Sequence, residues 1–376
     1  MSIPLRKAAV IGGGFSGMSA AIELARRDVQ VDLIESDAGW RSYGAGISLG
    51  GATLRALRTL GILDDFLREG AASDGVDLRA PHGAPIGELP TPRVAGPDVP
   101  GGGAILRPTL AKIMSQATRR AGVEVRLGCS FATLAQDAEG CEVVCADGQR
   151  ERYDLVVGAD GLHSAVRAQL FPEAPQPAYA GQGVWRAVLP RPAEITRCRM
   201  WMGGATKPGV NPVSATQMYL FVTEHRPRNE RIPPEQQPAM LRELLAPFPD
   251  PLLQALRAQI DEHAQVIYRP LESLLLPRPW HRGRAVLIGD AVHATTPHLA
   301  SGACIGIEDG IVLAEELGRA ESVEAGLAAF QARRWERCRM VVENSGRLGA
   351  IEIAHGDKAE HAQLMRESLV ALAEPI

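Results

Sequence analysis

No uninterrupted apolar stretch of this chain approaches the ~20 residues that cross a bilayer. A first strand-like run begins almost at once, without the apolar region and small-residue cleavage site of a secretory signal. A cytoplasmic location is the expectation. Six cysteines (Cys129, Cys141, Cys145, Cys198, Cys304 and Cys338) lie scattered without C-x-x-C spacing, which points away from a disulfide framework and from a zinc site. The histidines show no metal-ligand spacing either, so no metal is expected. The formal net charge is −4, and no run of like charges offers nucleic acid or an anionic membrane a handle. No internal repeat, low-complexity segment or local Ser-His-Asp arrangement is present.

What remains is an ordinary composition, 45% hydrophobic and 22% charged over 376 residues, enough for one large α/β unit or two domains with a real core. Near the N-terminus the pattern reads strand, turn, helix, strand. The apolar run 8–11 leads into Gly12-x-Gly14-x-x-Gly17, a helical stretch follows over 16–27, and a second strand over 29–34 ends on Glu35. The three glycines answer different physical demands. Gly12 permits the tight turn, Gly14 lets backbone approach a pyrophosphate, and Gly17 lets helix and strand pack closely. Phe15 and Ser16 open the helix whose free N–H groups meet negative charge. Glu35 is placed to accept hydrogen bonds from an adenosine ribose and to repel a 2′-phosphate.

Further along, the segment 75–103 is rich in Pro and Gly, and Arg107-Pro108 opens a helix with proline in its first turn. From 181 to 279 strands dominate, including 183–189, 197–202 and 217–222. A buried strand over 284–288 then runs into Gly289-Asp290, followed by Pro297 and Gly302. Helices are expected over 302–317, over 323–353 with a break near Gly346-Arg347, and over 359–372. The implied fold class is α/β. A Rossmann-type unit made of 1–74, 104–180 and 280–376 carries a β-rich insertion made of 75–103 and 181–279.

Three ordered motifs, Gly12 to Gly17 with Glu35, Gly158-Ala-Asp160-Gly161 through Arg167, and Gly289-Asp290 through Pro297, resemble the single-component FAD-dependent aromatic hydroxylases, of which 4-hydroxybenzoate hydroxylase is a type. The run from Gly302 to Asp309 is most similar to the salicylate and urate hydroxylase branches. The resemblance spans essentially the whole chain. It implies an FAD enzyme reduced by transient NADH or NADPH, with O2 supplying an oxygen atom to an aromatic or heteroaromatic small molecule through a flavin C4a-hydroperoxide. It further implies that Asp290 holds the ribityl chain, that Asp160 and Gly161 lie near the pyrophosphate, and that Arg107 reaches the phosphates or ribityl region. Gly44 to Gly46 would line the flavin ring, with Arg41, Pro297, Gly302 and Ala303 completing the cofactor set and Pro297 beside the reacting atoms. Ala300 and Gly310 stand where the family often has Gly and Ala.

For the substrate, Arg186 and Trp201 occupy places that resemble substrate positions of the urate hydroxylase branch, with tryptophan here where that branch has tyrosine. Arg186 is expected to orient the substrate and Trp201 to wall in its ring, while Tyr219 and Phe221 share a strand face and are expected in the same cavity. His293 falls inside the flavin motif and is expected to be a satisfied, partly buried histidine with a structural or supporting role. An oxidase or dehydrogenase without oxygen insertion, and a non-catalytic FAD-binding regulator, are the alternatives; the chain is expected as a monomer or homodimer.

Overall fold

The computed structural model describes residues 5–42 and 44–376. Its first sheet grows from the apolar strand Lys7–Ile11, which is flanked by Gln30–Glu35 and Leu155–Gly158, all parallel. Glu124–Leu127 and Ala285–Leu287 extend it on either side, and the short antiparallel His281–Arg282 ends it. A parallel sheet needs both faces covered, and its central strands read as continuous apolar runs for that reason. The helix Phe15–Ala25 covers one part and packs along the helix Gly302–Arg319. There Gly310 lets the second helix touch the backbone of Ser19 and Ala20, where any β-carbon would collide, and Ser19 Oγ donates to the Ile307 carbonyl at 2.7 Å. The departure from alanine at residue 310 is thus a close-packing feature.

The β-rich part forms a seven-stranded sheet in the order Val266–Ser273, Ala178–Pro190, Gln217–His225, Thr206–Pro212, Cys198–Trp201, Val76–Arg79 and Pro85–Leu89. Strand side chains alternate between faces. One face presents Trp185, Ala187, Met218, Leu220, Val222, Val210 and Trp201 to a core closed by the helices Gln237–Leu245 and Pro251–Gln259. The other face, carrying Arg186, Tyr219, Phe221, Lys207 and Met200, looks toward the first sheet. Between the two lies a small sheet of Gly46–Gly50, Gly102–Leu106 and Ala71–Ser73.

The helix Val323–Ile353 runs unbroken through Gly346, where the sequence suggests a break. An interior glycine costs only about 1 kcal/mol relative to alanine, and buried Cys338, Val341, Ser345 and Leu348 on both sides of it hold the helix by packing.

Beneath the Gly302–Arg319 helix lies a buried charge network. The Asp309 carboxylate accepts from Gly289 N at 2.9 Å and Arg334 Nε at 2.8 Å, and it meets His293 Nε2 at 2.5 Å. Arg334 and Arg337 both bind Glu308, each at 2.8–2.9 Å. Burial works against charging these acids, yet His293 and Arg334 hold Asp309 below its ordinary range, and Arg334 and Arg337 do the same for Glu308. Groups depressed in this way contribute stability above their unfolded pKa and lose it as pH falls through the folded value. Arg334→Ala, which leaves two buried carboxylates short of a partner, should cost about 3–5 kcal/mol of folding stability in urea denaturation at neutral pH. That loss should shrink as the pH is taken down into the carboxylate range.

Candidate functional site

The strand Lys7–Ile11 ends in Gly12, whose φ of 106° and contact with the Ala159 carbonyl exclude any side chain. The chain turns there, and the helix Phe15–Ala25 starts at Gly14 without a side-chain cap or an acidic residue in its first turn. Its N–H donors face a cavity of about 1930 Å³ between the two large sheets. A β-carbon at Gly14 would meet nothing within 4 Å, so the missing side chain leaves open cradle, whereas Gly17 lies outside the cavity and packs on Gly12. Glu35 lines the cavity and is held by Gly13 N and Asp37 N, both at 2.7 Å.

A second uncapped N-terminus comes from the far side. Gly289, at φ 62° and against Ser16, sets Asp290 at the cavity wall after the buried strand Ala285–Leu287. Asp290 is exposed to the cavity, with protein on the cavity's other sides around it. The desolvation this brings raises its carboxyl above the ordinary range against the pull of His293 and Arg107. The turn Pro297–Leu299 follows, Ala300 takes a left-handed φ of 48°, and the Gly302–Arg319 helix begins with no acid in its first turn. Gly302 and Ala303 line the cavity there. Arg107 lies 4.8 Å from the Phe15 ring centroid and donates to Ser42 at 3.2 Å, with Gly44 packed on its stem. Asp160 and Gly161 line the same wall. The Asp160 carboxylate meanwhile accepts from Ala165 N at 2.7 Å and from Ser164, capping the helix Ala165–Leu170. Two open helix N-termini, a glycine cradle and a ribose-type acid along one cavity fit an adenine dinucleotide with a pyrophosphate.

Arg41 stands apart from this group: it binds Asp37 at 3.0 Å on the surface and does not line the cavity. His293 is wholly buried on Asp309 behind the cavity.

The seven-stranded sheet supplies the opposite wall. Tyr219 and Phe221 stand 5.2 Å apart, ring centroid to centroid, beside Arg186. Tyr219 lies over Gly46, where any side chain would strike its ring. Its hydroxyl meets Ser48 Oγ at 2.8 Å, and Ser48 also accepts from Asn211 at 2.9 Å. Burial raises the Tyr219 pKa, with Ser48 and Arg186 opposing, so the phenol stays protonated at neutral pH. Burial likewise lowers the Arg186 pKa, but a guanidinium remains charged in proteins. No described carboxylate pairs with it.

Trp201 corrects the sequence reading. It is fully buried on the opposite face of the sheet, with its indole N–H on Asp250 at 2.9 Å, and does not reach the cavity. The period of two turns Met200 and Met202 to the cavity and Trp201 away from it. The phenol that faces the cavity is that of Tyr219.

Sequence reasoning missed a polar cluster at the cavity edge. Lys207 pairs with Glu352, His361 Nε2 meets Glu352 at 3.0 Å, and His298 lies 3.3 Å from it. Despite burial, these neighbours draw the Glu352 pKa well below the ordinary carboxylate range. Strand, turn and C-terminal helices each contribute to it, so only the alternation that turns Lys207 to the cavity was there to read.

Glu35→Ala should weaken FAD about ten- to a hundredfold, from charge-assisted hydrogen bonds worth roughly 1.5–3 kcal/mol, read by equilibrium dialysis of the flavin. Trp201→Phe should leave FAD content and ligand affinity unchanged. It should lower stability by about 1.5–3 kcal/mol through the unsatisfied Asp250, measured by chemical denaturation.

Comparison with known proteins agrees with this geometry. Residues 6–345 match the FAD binding domain family. The chain is 31% identical to aurachin C monooxygenase/isomerase of Stigmatella aurantiaca over 91% of this chain and 88% of that one. Identity is also 31% to the 2-heptyl-3-hydroxy-4(1H)-quinolone synthase of Pseudomonas aeruginosa, over 91% and 89%. The solved structure of Klebsiella pneumoniae HpxO with FAD and uric acid superposes with a TM-score of 0.82 at 26% identity, covering 98% of this chain and 93% of that one. Family match, relatives and fold coincide, and the chain belongs to the FAD binding domain family of flavoprotein monooxygenases.

Proposed function

We infer that this protein is an FAD-dependent monooxygenase that uses NADH or NADPH and O2 to oxidise an aromatic or heteroaromatic small molecule bearing an acidic or carbonyl group. The observation that carries the substrate class is Arg186. It is a cavity-facing cation with no described carboxylate partner, standing beside the Tyr219–Phe221 pair. Such a cation in a largely enclosed site favours an anion or a polarised oxygen, and the aromatic walls favour a planar ring. The urate of one structural neighbour and the quinolone of one relative are rings of this kind.

Bound FAD supplies the hydride acceptance and oxygen activation. The chain's own residues do the rest. The open N-termini at Gly14 and Gly302 and the side chain of Arg107 offset negative charge on the cofactor. Asp290 and Glu35 fix its sugar-derived hydroxyls. Arg186 orients the ring, and Tyr219, tied to Ser48 of the cofactor-side sheet, keeps the ring wall in register with Gly46. No second glycine-rich dinucleotide fold is present in the sequence, so the nicotinamide cofactor is a transient reductant.

The test is a screen of aromatic acids, phenols, quinolones and purines for ligand-stimulated NAD(P)H oxidation, followed by turnover under labelled O2. Label in the product supports a monooxygenase; consumption of substrate without label supports an oxidase or dehydrogenase. A flavin that no reductant or ligand bleaches supports a regulator. Arg186→Ala should retain FAD, bind acidic ligands roughly ten- to a hundredfold more weakly, and divert reducing equivalents to hydrogen peroxide because the ring is misplaced. Unchanged affinity and product yield per NAD(P)H would remove Arg186 from the site.

A further inference from the structure

The C-terminal helix Lys358–Ala373 lines the cavity along one face, on which His361 is tied to Glu352 at 3.0 Å. Lys358, His361, Ala362, Met365, Arg366 and Leu369 all line the cavity, at the spacing i, i+3, i+4, i+7, i+8, i+11 of a single helical stripe. Such a stripe ordinarily packs on a core. Here the buried residues of the helix are Ser368 and Leu372, while Met365 and Leu369 remain partly exposed.

The helix packs chiefly on the Val323–Ile353 helix and also on the Pro297–Leu299 turn and the Gly51–Thr59 helix, so its open face continues the wall that begins at Pro297. At about 1930 Å³ the cavity is about twice the upper end of the ~300–1,000 Å³ typical of a small-molecule site. The cavity therefore exceeds a single small-molecule site. The apolar members of the stripe are Ala362, Met365 and Leu369, interspersed with the basic Lys358, His361 and Arg366, and Ile86, 57% exposed, opens onto the same cavity from the strand Pro85–Leu89. Methionine is suited to a flexible apolar guest, because its unbranched chain repacks readily.

We propose that this face is a subsite for an extended apolar substituent carried by the ring substrate, an alkyl or prenyl chain that leaves the Arg186–Tyr219 region along Ala362, Met365 and Leu369. The proposal rests on the ring site inferred above. From Ala362 to Leu369 the wall is about 10 Å long at 1.5 Å per residue, and burial of each methylene along it favours binding until the chain outruns it.

The experiment uses the FAD-loaded protein and a series of 4-alkylphenols from ethyl to octyl, with affinity read from the perturbation of the flavin spectrum. Each added methylene should tighten binding by up to about fourfold, the equivalent of roughly 0.8 kcal/mol, with the gain levelling off in the longest members. In the double variant Met365→Asn, Leu369→Asn the gain per methylene should fall by at least half, while FAD content and the affinity of 4-ethylphenol stay within about twofold of the unsubstituted protein. A flat series, or the same slope in the variant, overturns the subsite and leaves the ring site standing. Failure of 4-ethylphenol to bind overturns the ring site and the subsite with it. If the variant keeps its slope but flavin reduction by NAD(P)H slows, the face serves the nicotinamide cofactor and the proposal is wrong.

Discussion

The fully buried carboxylate of Asp309 is the constraint on which the cofactor side of this molecule depends. It binds the backbone of Gly289 at the end of one strand, His293 just after it, and Arg334 from a helix distant in sequence. A buried carboxylate without these partners would be costly, and each partner is an element that must be in place before the charge is satisfied. The turn that presents Asp290 to the cavity is thereby fixed from behind. Burial opposes protonation of His293, but Asp309 outweighs it and raises the imidazole pKa well above its ordinary value. The short contact with Asp309 commits this histidine to structure.

The cofactor half was legible because its signals are local. Gly12, Gly14, Gly17 and Glu35 fall within one strand-turn-helix-strand unit, where each residue type answers a short-range steric or electrostatic demand. The same is true of Gly289-Asp290 after its buried strand. Arg41 was not legible in that way, because its loop offered a nearby Asp37 as a partner and no period fixes the direction of an exposed side chain.

The opposite wall of the cavity depends on which face of a strand a residue takes, and one step of register reverses the answer. Arg186, Tyr219 and Phe221 fall on the cavity face, while Trp201 falls on the core face with Trp185. Trp201 and Met200 differ by a single residue, and their apolar character alone did not say which of them was inside. The Lys207–Glu352–His298 cluster is harder still. Its members lie on a strand, a helix and a turn that meet only once the C-terminal helices have closed against the β-rich layer. The unbroken helix through Gly346 has a similar cause, since tertiary packing outweighs a local propensity cost.

The two-sided sheet also bears on how such a site can change over evolutionary time. Cavity and core residues alternate along the same strands, Arg186 next to Trp185 and Phe221 next to Leu220 and Val222. Inserting or deleting one residue within a strand would exchange the lining for the core, so diversification of substrate preference must proceed by replacement at every second position. Changes in length are confined to the ends of the strands, such as the Gly203-Gly204 bend, where Gly204 faces His355 near the start of the C-terminal helix. The strand wall and the rim of the cavity can therefore drift independently, one by exchange of side chains and the other by growth and loss of loops.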